Sequence, residues 1–123
     1  MVFSCTWLKV KMIKGNIYSR NSNEPSKYEV FDELHSSEDF LIERIISAGQ
    51  STPEGKWLEQ DRDEWVVLLD GNARISFEGG DEVELNKGDY IFIPANTHHR
   101  VESTSSKPEC LWLAVHGKLN TVE

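Results

Sequence analysis

The stretch GDYIFIPANTHHRV, residues Gly88–Val101, combines a short β-type run with a fixed spacing of glycine, proline and histidine. Tyr90–Pro94 is rich in aromatic and β-branched residues and follows a Lys-Gly-Asp turn, which is the pattern of a strand entered from a turn. Five residues separate Gly88 from Pro94, and four separate Pro94 from His99. The stretch therefore predicts a strand with a histidine at a set distance beyond it.

Outward from this stretch, the chain from Phe40 onward is a succession of short runs rich in Val, Ile, Leu, Phe and Trp, each bounded by Gly, Asn, Asp or Ser. The other runs read FLIERIIS, EWVVLL, ARISF, EVEL and CLWLAVH. Short strands at close spacing without helical periodicity predict an all-β sandwich or barrel. Asp70-Gly71 and Glu78–Asp81 predict tight hairpins on either side of ARISF, because glycine tolerates positive φ. Tyr28–Leu34 is consistent with either a strand or a short helix.

The overall composition indicates one globular domain and excludes several classes of partner. The chain has 123 residues, of which 38% are hydrophobic and 10% aromatic, enough for a real core. The net charge is -8 and no Lys/Arg cluster forms a stripe, so we expect no nucleic-acid partner. No stretch approaches 18 apolar residues, and the first lysines follow an apolar run rather than precede it. We therefore expect neither a membrane span nor a signal peptide.

Two features of the chain leave its organisation partly open. We expect residues 1–26 to form an N-terminal strand and loop extension and residues 27–123 to form the barrel, although Met12 is as good a natural start as Met1. Cys5 and Cys110 have no CxxC spacing, so a reduced, cytoplasmic protein is the default expectation.

The spacing within Gly88–Val101 resembles the second conserved motif of the cupins, which are antiparallel double-stranded β-helix, or jelly-roll, barrels. Gly88, Pro94 and His99 match that motif. Asn96 stands where the family has glycine, and Ser103 stands where it has asparagine. Asparagine is a frequent non-glycine occupant of the left-handed backbone region, so the first departure is conformationally mild.

The first cupin motif is matched only in part. Glu64 and Gly71 have the expected six-residue gap, but Gln60 stands at the second histidine position and Leu58 at the first. The resemblance covers roughly Phe40 to His116. It implies that Gln60 and Glu64 lie inside the barrel mouth. Strand parity agrees, because it places Glu64, Val66 and Leu68 on one face and Trp65, Val67 and Leu69 on the other.

The resemblance implies a divalent metal, namely Fe, Mn, Ni or Zn, held by imidazole and carboxylate with open positions for substrate. The inherited ligand set would be Gln60, Glu64 and His99, with an amide oxygen as a weak donor. His98 neighbours His99 on a strand and so points to the opposite face. The candidates for the rest of the pocket are Trp57, Phe92, His98 and His116. Glu43 reads as a routine surface charge, and Arg100 as a strand-surface residue more than an anion site.

Two functions follow from this set. One is a metal-dependent cupin that acts on a small polar molecule, favoured by Gln60, Glu64 and His99. The other is a metal-free cupin that binds or senses a small ligand, favoured by Leu58 in place of a ligand histidine. The resemblance also implies a homodimer formed by pairing of outer sheets, in which the segment containing Trp7, Leu8 and Val10 is a candidate exchanged strand.

Overall fold

A computed structural model describes residues 11–20 and 26–120, and these contain eight β-strands. The strands are β1 Val30–Ser36, β2 Leu41–Ser47, β3 Asp63–Asp70, β4 Ala73–Phe77, β5 Glu82–Leu85, β6 Tyr90–Ile93, β7 His99–Thr104 and β8 Cys110–Gly117. The described residues contain no α-helix, and so no helix that could cross a membrane. The all-β prediction is confirmed. The proposed N-terminal strand, with Trp7 and Cys5, lies outside the described residues.

The strands form two antiparallel sheets. The larger sheet has the order β1-β2-β8-β3-β6, and the smaller has the order β5-β4-β7. Strands adjacent in the larger sheet are distant in sequence, since β8 lies between β2 and β3 and pairs with both along its length. The last strand of the barrel, β8, therefore lies in the same sheet as its first strands, β1 and β2.

The turn at Asp70-Gly71 differs from the prediction. Glu78–Asp81 does join a hairpin, because β4 and β5 pair directly. Asp70-Gly71, in contrast, carries the chain from β3 in the larger sheet to β4 in the smaller one, and these strands do not pair. Gly71 has a φ of 87°, so the turn chemistry was read correctly. Turn chemistry specifies a reversal and does not specify which sheet the next strand enters.

The core lies between the sheets, as the parity of β3 predicts. Val66 and Leu68 are 3% and 0% exposed, and they pack with Trp112 and Ala114 of β8 and with Ile75 of β4. Full burial of a leucine side chain stabilises the fold by about 2 kcal/mol. The opposite face of β3 carries Trp65, whose ring lies 5.6 Å from that of Tyr90 on the neighbouring strand β6.

The segment Tyr28–Leu34, which the sequence left open between helix and strand, contributes to edge strand β1. Its partner β2 carries Arg44, which is only 7% exposed. The Arg44 guanidinium donates hydrogen bonds to Asp32 on β1 and to the backbone carbonyl oxygens of Ile17 and Ser19. A buried cation needs hydrogen-bond partners of this kind. Through these bonds, Arg44 holds both β1 and the segment before it against the sheet.

Candidate functional site

A cavity of about 420 Å³ opens between the two sheets, and its size is typical of small-molecule sites. Its walls are largely apolar and come from β2, β3, β4, β6, β7 and β8: Ile45, Val66, Ile75, Ile93, Val101 and Trp112. Its polar lining is dominated by carboxyl, amide and imidazole groups: Glu29, Glu43, Glu59, Gln60, Glu64, His99 and His116. The cavity is therefore an apolar container with a small set of titratable groups.

Strand register brings the polar groups together. Glu64 on β3 lies directly opposite His116 on β8, and both point inward because each shares its face with buried core residues. Glu43 on β2 faces the same cavity from the other side of β8. The loop before β3 adds Gln60, whose backbone carbonyl oxygen accepts a hydrogen bond of 2.7 Å from the backbone N–H of Asn96.

A continuous hydrogen-bonded chain links the two glutamates. The Gln60 amide donates through Nε2 to Glu64 Oε1 over 3.2 Å, while Gln60 Oε1 lies 3.1 Å from His116 Nδ1. The other ring nitrogen, His116 Nε2, lies 2.7 Å from Glu43 Oε2. Both nitrogens of His116 thus face oxygen atoms. The side chains of His116 and Glu43 are 9% and 14% exposed, so solvent screens this pair weakly.

Glu64 is the carboxyl group most altered by its surroundings. Burial raises its pKa above the ordinary value, because desolvation disfavours the charged form. His116 and then His99 oppose that shift electrostatically, and Glu43 adds to it. The protonated form of Glu64 therefore persists to a higher pH than that of an exposed glutamate.

His99 presents a free ring nitrogen to the cavity. Its residue exposure is 7%, and Nδ1 donates to the Thr97 carbonyl oxygen over 2.9 Å. This bond places a proton on Nδ1, and the described residues supply no hydrogen-bond partner for Nε2. Two backbone bonds, of 2.6 and 3.1 Å, pair His99 with Leu58 and bring the segment before β3 beside it.

The departure at Asn96 behaves as predicted. Asn96 has a φ of 62°, in the left-handed region where the family has glycine. Its N–H holds Gln60 in place, so this position supports the site through its backbone.

Three of the candidate pocket residues are not among those that line the cavity. Trp57 and Phe92 are 41% and 39% exposed, and the side chain of His98 is 38% exposed. Each is adjacent in sequence to a residue that does line the cavity, namely Leu58, Ile93 or His99, and neighbours in an extended segment point to opposite faces.

His98 instead forms a contact on the outer surface. Its Nε2 lies 2.8 Å from Glu59 Oε1, and its Nδ1 lies 2.8 Å from Glu78 Oε1. The hydrogen bonds to Glu59 and then Glu78 raise the pKa of His98. These two contacts of His98 connect Glu59, at the rim of the cavity, to Glu78, in the β4–β5 turn.

Glu43 is a site residue that the sequence interpretation assigned to the surface. The run LIERIIS does not alternate between apolar and polar residues, so it does not reveal which face is inward. Glu43 shares its face with Ile45, but only the structure shows that Ile45 lines the cavity. Arg100 is structural: it donates to Glu102 and to the carbonyl oxygens of Thr52, Pro53 and Lys56.

The two-sheet barrel with this inward-facing site defines the class of protein as a jelly-roll barrel with a small-molecule-sized cavity. The cupin-domain family model matches residues 44–116, more than half of the chain, and the chain belongs to the cupin family. A comparison with curated proteins finds no match.

Solved structures agree with this family. A protein from Ralstonia eutropha JMP134, provisionally named a mannose-6-phosphate isomerase, is 35% identical with a TM-score of 0.81, covering 87% of this chain and 99% of that one. A cupin superfamily protein from Desulfitobacterium hafniense DCB-2 is 18% identical with a TM-score of 0.66, covering 79% and 84%. An RmlC-like cupin with a double-stranded β-helix fold from Methanocaldococcus jannaschii is 15% identical with a TM-score of 0.64, covering 88% and 94%. The last two show the fold alone.

The residues present do not fit the divalent metal that the family commonly binds. Among residues 11–20 and 26–120, no three His, Cys, Asp or Glu side chains are arranged to hold a metal ion. Gln60 Oε1 is directed at His116, and both nitrogens of His116 are engaged. Of Gln60, Glu64, His99 and His116, only His99 Nε2 and one oxygen of Glu64 have no hydrogen-bond partner among the described residues, whereas a catalytic zinc site uses three protein ligands.

Proposed function

We propose that this cupin binds a small polar organic molecule in its cavity without a resident metal ion. The observation that carries the proposal is the chain Glu64–Gln60–His116–Glu43, which engages the groups that a metal would need. Apolar walls with a few convergent polar groups are the usual form of a small-molecule site. His99 Nε2 and Glu64 are the groups left to recognise the ligand.

The same two groups could also move a proton on a bound molecule. A carboxyl with a raised pKa and an imidazole facing one cavity are suited to general acid–base chemistry. This favours isomerisation as a second candidate function, in line with the name of the relative that is 35% identical. A phosphorylated sugar is a poor fit, however, because the lining among the described residues includes four glutamates and no lysine or arginine.

The test of metal independence is metal content, measured by plasma mass spectrometry on untagged protein purified without chelator. We expect far less than one Fe, Mn, Ni or Zn per chain, with no change in His99→Ala or Glu64→Ala. Near-stoichiometric metal that disappears in both variants, but not in the matched surface control His35→Ala, would overturn metal independence and restore the metal-dependent alternative.

The test of ligand binding uses chelator-treated protein and a library of small polar compounds, followed by ligand-observed NMR. We expect binders whose signals are lost with His99→Ala and retained with His35→Ala, since His35 lies on the exposed edge strand β1. A library without a single His99-dependent binder would contradict the proposed function.

A homodimer stays a prediction. Its support is the exposed apolar surface on β6, where Tyr90 is 66% exposed and Phe92 is 39% exposed beside Trp65 of β3. Sedimentation equilibrium on the wild type and on Phe92→Ser tests the homodimer. We expect the mass of two chains for the wild type and of one chain for the variant. A monomeric wild type would exclude the homodimer.

A further inference from the structure

The polar groups of the cavity are dominated by hydrogen-bond acceptors. Four glutamates line it, and each ionised carboxylate accepts without donating. His99 adds an acceptor when its imidazole is neutral, because Nδ1 donates to Thr97 and Nε2 then carries a lone pair. A ligand that satisfies this lining must therefore bring donors.

The carboxylates are also under-compensated by cations. Glu43 is paired with His116, and Glu59 is paired with His98 outside the cavity. Glu29 accepts from the Ser47 hydroxyl and Glu64 from the Gln60 amide, both of which are neutral donors. Since no lysine or arginine is among the described lining residues, the missing positive charge has to come from elsewhere.

His99 offers a further polar group to the cavity. Its Nδ1 donates to the Thr97 carbonyl oxygen, and the described residues give Nε2 no hydrogen-bond partner. No buried side-chain nitrogen or oxygen among the described residues lacks a partner, so Nε2 is open to the cavity. A neutral imidazole accepts a hydrogen bond at this atom.

Aromatic rings add a third feature. Phe31 is 58% exposed and lines the cavity at edge strand β1, while Trp112 is 5% exposed and lines it from β8. The faces of such rings attract ammonium and guanidinium groups, by about 0.5–2 kcal/mol depending on desolvation.

Resting on the proposed function, we propose that the ligand is a small organic cation with N–H donors, an ammonium or guanidinium compound. Its cationic head donates to Glu64 and His99, and its apolar part packs on the walls formed by Val66, Ile75 and Ile93. An anionic ligand such as a sugar phosphate meets like charge on the same groups and is excluded.

The experiment compares four probes that share one butyl chain: butylammonium, butylguanidinium, 1-butanol and butyl phosphate. Affinities are measured by NMR titration of the chelator-treated full chain at constant pH and ionic strength. We expect either cation to bind about tenfold or more tightly than 1-butanol, the equivalent of one hydrogen bond to a charged group, and butyl phosphate not to bind.

Two isosteric variants locate the effect. Glu64→Gln should remove most of the preference for the cation, whereas Glu84→Gln, which deletes the same charge from exposed strand β5 outside the cavity, should leave it unchanged. Tighter binding of 1-butanol or butyl phosphate that depends on His99 would overturn the ligand class and leave the proposed function standing. If Glu64→Gln and Glu84→Gln reduce the preference for the cation equally, the preference is a general surface-charge effect, and the proposed ligand class is overturned. Binding by none of the four would reject the cation, while the His99-dependent library result judges the proposed function separately.

Discussion

Replacing Glu43 with leucine tests whether the cavity network is an energetic unit. Glu43→Leu removes the acceptor 2.7 Å from His116 Nε2 and leaves the imidazole facing an apolar side chain. Sequence interpretation placed Glu43 on the surface, where such a change would be worth within about 0.5 kcal/mol. The structure predicts a much larger effect.

The magnitude follows from burial. The two side chains are 14% and 9% exposed, so the interaction is not an exposed surface ion pair of about 0–1 kcal/mol. Removing one member of a buried pair leaves the other uncompensated, which costs about 3–5 kcal/mol. Replacing both members with leucine removes that penalty. The double variant Glu43→Leu/His116→Leu should therefore be less destabilised than the sum of the single variants, with a coupling energy of about 2–3 kcal/mol.

The assay is urea unfolding at neutral pH of the wild type, both single variants and the double variant, followed by tryptophan fluorescence. Equal m-values are required before the free energies of unfolding are compared. Additive effects, with a coupling energy within about 0.5 kcal/mol of zero, would refute the network. The matched control is Glu33→Leu on exposed strand β1, which should change stability by less than about 0.5 kcal/mol.

Two further predictions concern backbone and charge. Gly71→Ala should lower the free energy of unfolding in urea by about 2–5 kcal/mol, since φ is +87° and the added Cβ would lie 2.9 Å from Cys110 Cα. Gly88→Ala has a φ of +93° and nothing within 4 Å of the added Cβ, so it should cost only about 1–2 kcal/mol. Equal losses in the two variants would contradict the crowding argument. Because the pKa of Glu64 is raised in the folded state, the unfolded chain binds fewer protons and stability falls as pH rises from the ordinary value of 4.5 through the folded value. Glu64→Gln should flatten that decline in unfolding curves measured across this range, and a variant with an unchanged slope would refute the assignment.

Much of the fold was predictable from the sequence because the strand signals are local. The runs at EWVVLL, ARISF and YIFIP correspond to β3, β4 and β6, and the glycines between them adopt the positive φ that turns require. The pairing of β8 with β2 and β3 was not predictable in this way. It depends on contacts between segments far apart in the chain, which no short window contains.

The site was predictable where parity could be anchored to an apolar neighbour. Glu64 shares its face with Val66, and His99 shares its face with Val101, so the inward direction of both can be read from the sequence. Glu43 could not be assigned, since both faces of β2 are apolar and the outer face holds the buried Arg44. Trp57 is not among the residues that line the cavity, and its aromatic character does not indicate which face of its segment points inward.

The two departures in the first cupin motif and the acidity of the cavity have a common electrostatic explanation. A divalent cation would balance several of the inward carboxylates, but Leu58 offers no ligand atom and Gln60 turns its oxygen toward His116. His116 is paired with Glu43, and among the described residues the hydrogen-bond donor to Glu64 is the neutral amide of Gln60. Burial makes that residual charge costly, and either a proton or a bound cation relieves the cost. By our proposal, an organic cation and a divalent metal would compete for this deficit of positive charge, and Leu58 and Gln60 at the two histidine positions of the motif favour the organic cation.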